Sequence, residues 1–176
     1  MKTTGIVRRI DDLGRILIPK EIRKNLRISD GESIEIFIEE DSVILKKHSV
    51  LNKIEDYAEK FTDAIFSFLK SNIMITDTDT IVAVSGSLKK DYINKPISEY
   101  LRECIRQREN LHEKNIKNIK LTNEKTTEGT FCLSTIITSG DAVGSVIIFD
   151  QERIVSESDM KICQIASKFL SKTLED

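Results

Sequence analysis

The sequence predicts an α+β fold in two modules, and three observations carry that prediction. Short runs rich in β-branched residues alternate with stretches of helical period along the whole chain. A turn-rich N-terminal part gives way near residue 50 to a sustained apolar pattern at helical spacing, which separates it from a longer body. Charge divides at the same place: residues 1–28 carry a net +5, residues 29–50 a net −4 and the remaining 126 residues a net −3. With 176 residues there is enough chain for one core or two. Regular apolar spacing argues against disorder despite a charged fraction of 32%. The longest apolar runs, residues 81–84 and 146–149, hold four residues each and are far too short to span a bilayer as a helix. No basic start followed by a long apolar core occurs near Met1, so no signal peptide is expected.

The first module is expected over residues 1–50. Residues 5–10 and 15–18 read as strands, separated by the turn cluster Asp11-Asp12-Leu13-Gly14. Pro19 cannot continue a paired strand but suits the first position of a helix over residues 20–26. That helix places Ile22 and Leu26 on one face and Arg23, Lys24 and Arg27 elsewhere. Ser29-Asp30-Gly31 breaks the chain. Ile34, Ile36 and Ile38 then alternate with Glu35, Phe37 and Glu39, the period of a half-buried strand. Glu40-Asp41-Ser42 turns it, and residues 43–47 return. So small a module, without metal or disulfide, buries too little surface to stand alone, which predicts an obligate dimer.

A linker helix is expected over residues 51–71, where Leu51, Ile54, Ala58, Phe61, Ile65 and Phe68 recur at steps of three and four. That register fits a dimeric coiled coil, and it fits equally an amphipathic helix packed on its own domain. Residues 72–176 then read as one antiparallel sheet with flanking helices. Strands are expected at 73–75 and 81–84, helices near 88–93 and 98–110, and further strands at 116–121, 131–138 and 143–149. Leu101, Cys104 and Ile105 share one helical face, and Ser139-Gly140-Asp141-Ala142 is a hairpin signal. Ser156 can cap a C-terminal helix, with Asp159 as its capping-box partner and Val155 stapled to Met160.

Arg8, Arg9, Arg15, Arg23 and Lys24 are the candidate binding residues. Guanidinium groups hold phosphate in a bidentate, permanently charged geometry, so a basic end on an acidic body points to an anionic partner such as double-stranded DNA. The competing reading is surface charge kept for solubility. Four such side chains per subunit, doubled in a dimer, predict a log–log salt slope of about −7 on duplex DNA.

The run from Gly5 to Arg23 resembles the AbrB-type swapped-hairpin DNA-binding domain, most specifically in Leu13-Gly14-Arg15-Ile16-Leu17-Ile18-Pro19 followed by Glu21-Ile22-Arg23. The resemblance implies that two chains exchange hairpins to build one dimeric β-barrel. It places DNA contacts on Arg8, Arg15 and Arg23, with Lys24 at a fourth basic position where Arg is more usual and Arg9 assisting. In whole-chain layout the sequence resembles a member of that family in which such a domain precedes a GAF-like domain. This implies a GAF-like sensing or oligomerisation domain over residues 72–176; the N-terminal module makes a homodimer, and pairing of dimers through the C-terminal domain would give a homotetramer. It also implies activation and repression of late sporulation genes, an unidentified small-molecule effector, and a cytoplasmic, nucleoid-associated place in the forespore. Where cyclic-nucleotide-binding GAF domains carry Asn-Lys-x-Phe-Asp-Glu, this chain has Asn94-Lys95-Pro96-Ile97-Ser98-Glu99, so cyclic nucleotides are not expected. The same hairpin occurs in antitoxins, which is the alternative; the folded periodicity of the long body weighs against it.

Catalysis is not expected. Cys104, Cys132 and Cys163 fall in apolar periodicities and read as buried structural thiols rather than the several reactive cysteines of GAF-like sulfoxide reductases. Their odd count, with no close pair, fits a reducing compartment. His48 and His112 have no ligand partners at metal spacing and read as surface residues, so neither metal nor cofactor is expected.

Overall fold

The computed structural model describes residues 5–26, 28, 30–31, 33–48, 51 and 55–175. The chain forms two compact units, Met1–His48 and Ser49–Asp176.

In the first unit the chain turns at Asp11 to Arg15. The Gly14 N–H donates to the Asp11 carbonyl at 3.0 Å and the Asp11 N–H to the Arg15 carbonyl at 3.1 Å. Gly14 sits at φ 77°, the left-handed conformation that closes a three-residue hairpin loop. The two arms expected as strands are not strands within one chain. β-Propensity expresses packing against a neighbouring surface, and the arms lack one: Val7 is 85% exposed, and Ile10 and Leu17 are exposed too. Helix α1 (Lys20–Asn25) follows a buried Pro19. Pro19 is the N-cap rather than the first helical residue, because its ψ of 147° is still extended. Strands β1 (Ile34–Glu39) and β2 (Ser42–Lys47) pair antiparallel in the register Ile36 to Leu45. Their turn is Glu40-Asp41, so Ser42 belongs to the returning strand. The half-buried alternation expected of β1 is not realised: Ile36 and Phe37, on opposite faces, are both exposed, and Ile38 is 83% exposed. A two-stranded hairpin has no second layer on which to bury either face.

The second unit opens with helix α2 (Glu55–Leu69), followed by β3 (Asn72–Asp77), β4 (Ile81–Ser85), α3 (Lys89–Tyr92) and α4 (Glu99–Arg106). Strands β5 (Asn110–Ile119), β6 (Thr127–Thr138) and β7 (Asp141–Asp150) come next, and helix α5 (Glu157–Glu175) ends the chain. The strands form one antiparallel sheet in the order β4-β3-β7-β6-β5. Both faces are covered. α2 and α5 lie over Ile73, Ile75, Cys132, Ile136, Val146 and Ile148; α3 and α4 lie over Met74, Leu133, Ile147 and Phe149. Two-sided burial explains why β3 reads as an apolar run rather than an alternation.

Several expectations shift here. The helix expected to reach residue 110 stops at Arg106, because Arg108 turns the chain at φ 58° and Asn110 already pairs with Ser134. β5 therefore starts six residues before the expected strand. Its Glu and Lys side chains are those of a sheet edge, and they masked its period. Of the two readings of α2, the packed amphipathic helix is realised: Ala58 is buried, and Phe61, Ile65, Phe66 and Leu69 join the core cluster. Phe61 also stacks on Phe169, centroids 5.1 Å apart. Phe68, the last residue of the coiled-coil register, is 81% exposed; Ile54 lies outside the described residues.

Candidate nucleic-acid interface

The five candidate side chains occupy three places in the first unit. Arg8 and Arg9 lie on the first arm, both exposed, with Arg8 Nη1 donating to its neighbour's carbonyl, Val7 O, at 3.2 Å. Arg23 and Lys24 lie on α1. Arg23 Nη1 meets Asp30 Oδ1 at 2.5 Å, and its Nε is buried without a hydrogen-bond partner. Arg15 ends the turn, its side chain 72% exposed and its Nε 2.8 Å from Asp11 Oδ2.

Asp11 is the residue that sequence reasoning took only as part of a turn. Its Oδ1 accepts the backbone N–H of Leu13 at 3.1 Å and of Arg15 at 2.7 Å. These bonds to Arg15, backbone first and side chain second, hold the Asp11 carboxyl below its ordinary value. The available signal was Asp at the first position of a turn with Gly at the fourth, where the aspartate side chain bonds the backbone two residues on. Nothing in the local pattern showed that the same carboxylate would also take the guanidinium.

The second unit offers little to chemistry. All three cysteines are buried, and burial pushes the Cys104 thiol up to about 12 and raises Cys163 as well. His112 is not the surface residue expected: its side chain is 13% exposed, and Nε2 lies 2.8 Å from the Val155 carbonyl at the entry to α5. No cluster of three or more His, Cys, Asp or Glu that could hold a metal gathers among the described residues. None of the described helices is long and apolar enough to cross a membrane. The sheet face under α3 and α4 is filled by Met74, Tyr92, Leu101, Ile105 and Leu133, with Tyr92 Oη hydrogen-bonded to Thr127 Oγ1. A polar groove of about 290 Å³ lies on the α5 side, lined by residues that include Asn110, Ser134, Gln164, Ser167 and Lys168.

The second unit is similar in fold to the GAF domain of the phosphoenolpyruvate-protein phosphotransferase of Acinetobacter, at a TM-score of 0.58 and 11% identity, over 73% of this chain and 83% of that one. Residues 7–50 match the family model described as antidote-toxin recognition MazE, bacterial antitoxin. Over 48 residues the chain is 48% identical to the transition state regulatory protein AbrB of Bacillus subtilis, covering 27% of this chain and 50% of that protein. An AbrB-like module followed by a GAF-type domain defines a two-module class of regulator. Residues 53–175 match the model described as stage V sporulation protein T C-terminal, transcription factor, and the chain belongs to that family. It is 43% identical to stage V sporulation protein T of Bacillus subtilis over 99% of both chains.

Proposed function

We propose that this protein is a DNA-binding regulator of transcription whose first unit, paired with that of a second copy, lays Arg8, Arg9, Arg15, Arg23 and Lys24 on duplex phosphates. One observation carries the reading: the unit that presents exposed arginines also leaves the apolar side chains of its arms and of β1 uncovered, as a hairpin does when it is completed by another chain. Family membership supports the regulatory role. By the same relationship the targets are late sporulation genes in the forespore, activated in some cases and repressed in others. The domain layout we assign is residues 1–50 as reader and 72–176, with the helix of residues 51–71 packed on its sheet instead of standing as a separate linker, as the GAF-like part, which senses an unidentified small molecule or pairs dimers into a tetramer. Buried, high-pKa thiols favour a non-enzymatic role for that part.

The test is binding of the full chain to a random-sequence duplex across a salt series. A log–log slope of about −7 is expected when four of these five side chains in each subunit meet phosphates, shallower by about two in Arg15→Ala and again in Arg23→Ala, since each removes two charges per dimer. No binding by the wild type at low salt would overturn the reading. The antitoxin alternative draws on the model matched by residues 7–50 and requires a small toxin to co-purify with the native protein.

A further inference from the structure

The geometry points to Asp11 as a positioning residue of the DNA interface: its carboxylate holds the Arg15 guanidinium ready for the phosphate backbone. The inference rests on the DNA-binding reading above. The two carboxylate oxygens do different things. Oδ1 is fixed by the turn, accepting the Leu13 N–H at 3.1 Å and the Arg15 N–H at 2.7 Å. Oδ2 accepts the Arg15 Nε–H at 2.8 Å. The backbone between the two residues is closed as well, by the bonds of Asp11 N–H to Arg15 O and of Gly14 N–H to Asp11 O. Arg15 is thus held at its main chain and at its side chain by one carboxylate that the turn has already immobilised.

The pairing leaves the arginine able to bind. It uses one of five guanidinium N–H donors, and the side chain is 72% exposed, so the four donors on the terminal nitrogens remain for a phosphate. A long exposed side chain must otherwise give up its rotamer freedom when it orders on a ligand, and Asp11 removes much of that loss beforehand. The opposing effect is Coulombic: a carboxylate beside a phosphate-binding group repels the phosphate. The two effects predict opposite signs for removal of the Asp11 charge, which makes the inference decidable.

Asp11→Asn keeps an acceptor for the turn N–H groups, removes the charge and can place an amide N–H₂ where the Arg15 Nε–H needs an oxygen. In the full chain, with a random-sequence duplex as the probe, it is expected to weaken binding by about threefold or more. In an Arg15→Ala background the same substitution is expected to cause no loss. Far-UV circular dichroism and sedimentation are expected to match the parent, a control that a general loss of structure would fail. Asp11→Ser, whose hydroxyl also accepts turn N–H groups, supplies a second variant with the same expected sign. Binding as tight as wild type or tighter in Asp11→Asn would overturn the inference, as would an equal loss with and without Arg15. Wild-type binding by Arg15→Ala alone would remove the DNA role of Arg15 and this inference with it.

Discussion

Asp159 lies 3% exposed at the start of α5, with both oxygens on the Arg153 guanidinium at 2.7 and 2.9 Å. The Ser156 N–H and hydroxyl donate to its Oδ2. Burial on its own would raise this carboxyl, but the Arg153 and Ser156 bonds outweigh it and bring the value to about 2. A carboxyl depressed on folding contributes stability above its unfolded value and loses it as pH falls through the folded one. The full chain should therefore lose roughly 2 kcal/mol of unit-two stability between about pH 4 and pH 2, and Asp159→Asn should lose much less over that range, as read by urea unfolding. The capping box itself was legible in the sequence; Arg153 was not, because it reaches Asp159 from an irregular loop. Gly144 is a second such residue. A Cβ there would meet the Thr76 carbonyl and the Leu51 side chain, so Gly144→Ala is expected to cost about 1–3 kcal/mol in the same assay.

Among the elements, α2 separates what spacing shows from what packing decides. Residues at steps of three and four give a stripe on the helix, and spacing does not say whether the stripe meets another chain or the helix's own domain. The sheet decides it, by offering β3 and β4 as the surface for Ala58 and its neighbours. Ala58→Leu, forced into a fully buried site, should lower unit-two stability by about 1–3 kcal/mol. Phe68→Ser should stay within about 0.5 kcal/mol of wild type, because that side chain contributes little to the packed face. The first six residues of β5 escaped sequence reading for a related reason. An edge strand presents charge to solvent on purpose, and its pairing with β6 is visible only once the sheet is assembled.

For the molecule as a whole, the two units differ in what a single chain can satisfy. The second closes two clusters of buried side chains on its own sheet; the first leaves Val7, Ile10, Leu17, Ile36 and Ile38 uncovered. Uncovered apolar surface of that kind drives self-association. The double substitution Ile36→Asp, Ile38→Asp is therefore expected to shift sedimentation to smaller species and to weaken duplex binding, with the unit-two unfolding transition unchanged. Retention of the wild-type sedimentation coefficient would place the association elsewhere in the chain.

The sequence by itself determined the α+β class, the positions of the basic residues, the C-terminal capping box and the family, because each is written in local pattern: period, turn chemistry, cap spacing and a contiguous motif. Tertiary structure alone decided the partners of those residues. Arg153 with Asp159, His112 against Val155 and α2 against β4 are contacts set by how the chain folds back on itself. Local pattern fixes which face of an element is apolar and where its charges lie. Which surface covers that face, and which carboxylate finds a given guanidinium, depends on chain closure between segments that share no local pattern.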